Sequence, residues 1–283
     1  KAQSMQEARK LTDNEQYENA SSMYQTLLSQ NPNDAGIYYY YAENLLLGES
    51  PDSARIIFEK GRSIDETNPL IKIGEAKILM DKINLRDAKS ASEMDGANSE
   101  LRHRYEQAVT NIKDANTKID EVTLNTKDIN ILIEAAETMI HYRNKDTDKA
   151  KSILDKATKI NPRNIEVLLL YGDIYTELNN GTLAADYYNR ALDLNKSSAR
   201  AIVSKGLLYK RSTNYEGAAS EFQNAISIEP NYAPAHRELG ETYIKLGKLD
   251  LAKAEYKKYL ELSKNNCSAR IRYSTFLYAS KEK

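Results

Sequence analysis

Few side chains of this 283-residue sequence could make or break bonds: three histidines (His103, His141 and His236), one cysteine (Cys267) and scattered carboxylates. A hydrolytic zinc site needs two histidines one helical turn apart, as in H-E-x-x-H, and these three lie far apart in the chain. His236 instead falls at a position expected to pack. The phosphate-cradling G-x-x-x-x-G-K and the nucleophile elbow G-x-S-x-G are both absent, and Cys267 has no base beside it. Asp146 and Asp148 lack the spacing of a calcium loop and read as a solvated helix start. A single cysteine excludes an intramolecular disulfide and multi-cysteine metal centres. No catalytic residue, metal ligand or cofactor is assigned, and the chain is not read as an enzyme.

What remains is the chemistry of binding. Lys plus Arg number 40 against 41 Asp plus Glu, so the formal net charge of -1 gives no footprint of a nucleic-acid binder. No apolar run approaches the length of a membrane helix, so no membrane insertion is expected. With 11 Gly and 6 Pro, Gly and Pro make up about 6% of the chain against an ordinary ~12%, too little punctuation for strands and turns. The composition therefore predicts an all-α chain. Its aromatics are 20 Tyr, 3 Phe and no Trp, a set whose hydroxyl tips need water or a partner.

The helices that must position these groups recur. Ala20, Ala54, Ala88, Ala150, Ala184, Ala218 and Ala252 are spaced by 34, 34, 62, 34, 34 and 34 residues. Ala8, Ala42, Ala76, Gly172, Gly206, Gly240 and Ser274 run in phase with them. Small residues at one period predict helix hairpins whose axes approach closely. Large residues should fill the space alongside: Tyr24, Phe58, Tyr188, Phe222 and Tyr256 each follow the Ala of their unit by four residues. Pro32, Pro162 and Pro230 mark unit ends, where proline is expected to open the next helix.

This pattern resembles the tetratricopeptide repeat, on Tyr171-Gly172 with Tyr175, Ala184 and Tyr188; Gly206 with Tyr209, Ala218, Phe222 and Pro230; and Leu239-Gly240 with Tyr243, Ala252 and Tyr256. The signature Trp is replaced by Tyr38, Leu168, Ile202 and His236. The resemblance implies a right-handed superhelical solenoid of antiparallel helix hairpins, built to bind a peptide or partner protein in a concave groove. Two units are expected over 1–68, a degenerate unit plus a long inserted helix over 69–130, four units over 131–266 and a capping helix over 267–283.

Carried over by repeat position, the groove residues expected to touch a partner are Tyr39, Glu43, Tyr142, Leu169, Asp173, Arg200, Leu207, Lys210, Arg211, Arg237, Glu241, Lys245 and Tyr278. Met5, Arg9, Asp13, Met139 and Arg143 belong to the same face. Val203 and Leu207 stand where the family's carboxylate-clamp members carry Lys and Asn, which argues against that clamp. In the run Tyr38 to Tyr41, Tyr38 and Tyr41 fall at packing positions, while Tyr39 and Tyr40 lean toward the groove.

Leu101, Tyr105, Ala108, Ile112, Ala115, Ile119 and Val122 step by four and three, a heptad seam that predicts one helix over about 99–124. It would pack along this chain's own repeats or, alternatively, self-associate with another molecule. Tyr273, Phe276 and Leu277 are expected to leave the end of the solenoid uncovered. The other functional readings are a structural subunit of a larger assembly and a regulatory domain of a longer protein. Opening on Lys1 without a leader suggests a trimmed chain or a removed targeting segment. The Lys- and Asn-rich composition suits a bacterial periplasmic or envelope protein, with the cytoplasm as the alternative.

Overall fold

A computed structural model describes residues 2–81, 93, 99–142, 145–264 and 266–281 of the chain. Among them are fifteen helices and no strand. In chain order they are α1 (Ala2–Asp13), α2 (Tyr17–Gln30), α3 (Ala35–Leu47), α4 (Pro51–Ile64), α5 (Pro69–Asp81), α6 (Ser99–Thr123), α7 (Ile129–His141), α8 (Thr147–Ile160), α9 (Ile165–Glu177), α10 (Gly181–Leu194), α11 (Ala199–Arg211), α12 (Tyr215–Ile228), α13 (Ala233–Lys245), α14 (Leu249–Leu262) and α15 (Cys267–Lys281). Each odd helix from α1 to α13 packs against the even helix after it. Successive odd helices also touch one another and line one face of the right-handed solenoid.

The repeat is written in caps as well as in the core. Asn164 and Ser198 accept from Val167 N and Ala201 N at the starts of α9 and α11. Asp146, Asn180 and Asn214, spaced by 34, accept from Lys149 N, Leu183 N and Gly217 N at the starts of α8, α10 and α12. Each such cap stabilises its helix by about 1 kcal/mol. Pro32, Pro162 and Pro230 lie in the turns between hairpins, not at the first position of a helix as expected. Pro51 and Pro234 take the helix-opening role instead.

The small residues do what their spacing requires. Ala8, Ala20, Ala42, Ala54, Ala76, Ala150, Ala184, Ala218 and Ala252 are fully buried; Ala88 lies outside the described residues. A Cβ added to Gly172 would sit 2.2 Å from the Tyr188 ring, and one on Gly206 2.5 Å from Phe222. On Gly240 it would clear Tyr256 at 3.3 Å. Gly172→Ala should therefore cost about 1–3 kcal/mol by overpacking. Gly240→Ala should be near neutral, because tight packing there is offset by a helix-propensity gain of about 1 kcal/mol. Urea unfolding of the two variants side by side tests this, and equal behaviour would contradict the packing account.

Helix α6 takes the place of a second helix in the third hairpin and packs on α5. The ion pairs Lys72–Glu121 at 3.1 Å and Lys118–Glu75 at 2.6 Å fix the two helices antiparallel. Ala108, Ala115, Ile119 and Val122 of the heptad seam are buried within the chain. From α8, Lys149 donates to Asn116 O at 2.9 Å and Lys156 to Thr123 O at 3.0 Å. The second of these places a cation on the carbonyl end of α6, where the helix dipole favours it.

The end of the solenoid is better covered than the sequence suggests. Phe276 is buried on Tyr256, with ring centroids 5.4 Å apart, and Tyr273 and Leu277 are half-buried. Among the described side chains of α15, the large apolar ones left exposed are Ile271 and Tyr278. None of the described helices is long and apolar enough to cross a membrane.

Candidate functional site

The concave face begins with a buried charge cluster. Tyr39, expected to reach a partner, is wholly buried. Its Oη donates to Glu134 Oε2 at 2.8 Å and accepts from Lys77 Nζ at 2.7 Å. The cause is the close approach of α3, α5 and α7, which seals the ring beneath Lys77. Lys77 is 1% exposed, binds the Glu43 carboxylate and lies 3.6 Å from Glu134 Oε2. Arg9 reaches the same Glu134 at 3.1 Å and lies over the Tyr40 ring at 4.3 Å. Burial pushes the Glu43 carboxyl up to about 7, against the pull of Lys77.

The middle of the face is a ladder of charges on α7, α9 and α11. His141 lies 3.7 Å from Glu137 and 3.5 Å from Asp173. Asp173 also accepts from Tyr188 Oη at 2.7 Å. Arg200 pairs with Glu166 and lies 3.7 Å from Glu137. Leu169, another predicted contact, is 1% exposed and belongs to the core, because α9 is packed on both flanks. Tyr142 is half-buried against the core, and Arg143 lies outside the described residues.

Burial opposes a charge on His141, but Asp173 and Glu137 outweigh it and push the imidazole up to about 9. Because this folded-state value is raised, its stabilisation is complete below about pH 6.5 and is lost as pH rises through about 9. The melting-temperature gap between wild type and His141→Gln should therefore narrow from pH 6 to 9.5. A gap independent of pH would refute the linkage.

At the C-terminal end the face opens into a cleft of about 530 Å³ lined by residues of α11, α13, α14 and α15. Its apolar surface comes from Ile244, Leu249, Tyr256, Ile271 and Phe276, and its polar groups are Lys210, Lys245, Arg272, Glu241 and Thr275. Three of the predicted contacts, Lys210, Glu241 and Lys245, are thus brought together. Lys210 bridges Glu238 at 2.6 Å and Glu241 at 2.7 Å, and Arg272 meets the other oxygen of Glu241 at 2.7 Å. Those two cations hold the Glu241 carboxyl below its usual range despite its burial. Lys245 is exposed and makes no ion pair among the described residues.

The other predicted contacts lie outside the cleft. Leu207 is 38% exposed on α11 and Tyr278 70% exposed on α15. Arg211 is turned to Asn179 Oδ1 at 2.6 Å. Arg237 pairs with Glu15 at 2.9 Å and Glu238 at 3.0 Å. His236 is a packed spacer, as expected, with its ring nitrogens 2.7 Å from Glu255 and 3.0 Å from Pro230 O.

Lys77, Glu134, Glu137 and Arg272 are not among the residues that sequence reasoning picks out. A signal for Lys77 exists: it follows Ala76 just as Glu43 follows Ala42, one repeat of 34 earlier. It is not picked out because a lysine one position beyond the small residue is expected to face the groove or solvent, not to be buried against Glu43.

A family model described as the tetratricopeptide repeat protein 21 C-terminal ARM domain matches residues 75–237. Two tetratricopeptide repeat models match residues 5–69 and 211–282. Among solved structures, a thermophilic tetratricopeptide protein of Thermus thermophilus is similar at a TM-score of 0.53 and 21% identity, over 60% of this chain and 93% of its own. Yeast Tom70 is similar at a TM-score of 0.50 and 18% identity, over 95% of this chain, which spans 60% of the Tom70 chain. At such identities these structures speak for the fold alone. No curated protein matches. With the first family model covering more than half of the sequence and repeat models on either side of it, the chain belongs to the tetratricopeptide repeat family.

Proposed function

We propose that the chain is a protein-interaction scaffold that receives an acidic peptide segment with an apolar anchor in the C-terminal cleft of its concave face. Membership of a family of interaction modules supports the general role. The observation that carries the finer reading is the cleft itself: an apolar floor rimmed by three cations and one carboxylate, with Lys245 unpaired among the described residues. A volume of about 530 Å³ suits a few buried side chains rather than a whole domain. An incoming carboxylate would meet Lys245 and Arg272 while a Leu or Phe beside it covers Ile244, Ile271 and Phe276.

Fluorescence anisotropy with labelled Asp/Glu-plus-Leu/Phe peptides, and Lys/Arg counterparts as controls, tests the reading. Acidic peptides should bind, more weakly as salt rises. Lys245→Glu with Arg272→Glu should lower affinity by about tenfold or more. Equal binding of basic peptides, or an unchanged affinity in the double variant, refutes it. A second reading, assembly through α15, rests on the exposure of Tyr278. It requires self-association in light scattering that Tyr278→Ala abolishes.

A further inference from the structure

The beginning of the chain lies against its end. Glu15, in the turn between α1 and α2, pairs with Arg237 Nη1 at 2.9 Å through one carboxylate oxygen. Its other oxygen accepts from Tyr259 Oη at 2.5 Å. Lys10 meets Glu229 at 2.8 Å, and Glu49 of the second hairpin accepts from Ser268. These partners lie more than 200 residues apart in sequence, so they report the winding of the superhelix and not the repeat. Three features set the contact apart from the packing between neighbouring hairpins.

First, the contact is polar. The apolar cluster of the first hairpin draws its members from residues 5–57 and that of the last hairpins from residues 192–277, with none in common. Second, Glu15 and Glu49 hold left-handed backbone, at φ 55° and 61°, in the turn where Gly247 has φ 71°. Non-glycine residues disfavour this conformation, and here both of the glutamates that adopt it reach across to the far end. Asn179 in the same turn of a later hairpin meets only the next repeat, through Arg211. Third, Arg237 Nε is buried with no hydrogen-bond partner among the described residues. Glu15 therefore occupies its seat without satisfying all of it.

We propose that the first hairpin is a clasp and that Glu15 is an internal ligand: it fills a carboxylate seat formed by Arg237 and Tyr259, which an acidic side chain of a partner takes when the clasp opens. A closure made of ion pairs and hydrogen bonds, with no shared apolar cluster, is released by salt and by competing carboxylates. The seat lies beside the cleft but shares no residue with it. The clasp is tested at Glu15 and Arg237 and the cleft at Lys245 and Arg272, so either reading can fail alone.

The experiment uses the full chain in a Cys267→Ser background, with nitroxide labels at Asn19→Cys and Lys257→Cys, both exposed positions. Electron-electron resonance should give one short distance at low salt and a longer, broader distribution at 1 M salt, roughly ten times the ionic strength that already screens charges beyond ~10 Å. Glu15→Lys should give the long distribution at low salt, and Glu15→Lys with Arg237→Glu should restore the short one. In a second arm, fluorescein-labelled hexaglutamate should bind Glu15→Ala about tenfold more tightly than wild type. Adding Arg237→Gln should abolish that gain. A distance unmoved by Glu15→Lys, or equal hexaglutamate affinity in wild type and Glu15→Ala, overturns the proposal.

Discussion

Lys77→Met should lower the unfolding free energy by about 3–5 kcal/mol, the typical effect of removing one partner from a buried ion pair. Lys77 is as buried as the aliphatic residues around it, and its ammonium lies among Tyr39, Glu43 and Glu134. Without it, two carboxylates remain, and among the described residues the other cation in an ion pair with either is Arg9, which meets Glu134 and whose side chain is 45% exposed. A thioether cannot offset their desolvation. The loss should depend on pH in a defined direction. Burial already pushes the Glu43 carboxyl above its ordinary value against the pull of Lys77, and without Lys77 it should rise further. Stability tied to its bound proton is complete below about pH 4.5 and is lost as pH rises through its folded value. Lys77→Met should therefore be closer to wild type at pH 5 than at pH 8. Adding Glu43→Gln and Glu134→Gln should recover most of the loss, since neutral amides are far less costly to bury than unpaired charges. Urea unfolding at the two pH values checks this, and a loss under about 1 kcal/mol at pH 8 would mean that water reaches the cluster.

Phe222→Ala should cost about 3–5 kcal/mol, and the damage should stay local. The ring is fully buried and fills the space that Gly206 leaves open. The apolar packing of a solenoid hairpin is with its neighbours, so a cavity there weakens one link of a chain of interfaces. The apolar clusters mark the link: one spans α9 to α11 and another runs from α10 to α15. Hydrogen exchange should show lost protection in α11 to α15, with α7 to α9 unchanged. Phe222→Leu should cost less than half as much. A uniform loss of protection along the chain would show that the solenoid unfolds as one unit and would refute local coupling.

The repeat is legible in the sequence because its small and aromatic residues answer to contacts within one hairpin, which recur every 34 residues. Gly172 under Tyr188 and Gly206 under Phe222 are the same contact read twice. The burial of Tyr39 and Leu169 is not legible. Repeat position fixes the direction in which a side chain leaves its helix, but whether that direction ends in water depends on how tightly successive first helices curve together. At Tyr39 the curvature closes the face; at Lys245 it opens it. The long helix is legible from its heptad seam, but its role as the hairpin partner of α5 is not, because no sequence period links it to α5.

By itself, then, the sequence determined the helices, their pairing in most hairpins, the side of each first helix that faces inward and the lack of a recognisable catalytic motif. The structural features among these follow from interactions between residues close in the chain, within a hairpin or between neighbouring ones. Only the tertiary structure decided which inward-facing charges neutralise one another, where an open cleft remains and how Glu15 meets Arg237 and Tyr259. The physical reason is accumulation: each hairpin adds a small rotation to the last, and the sum from the first hairpin to the last sets the long-range contacts that no single repeat encodes.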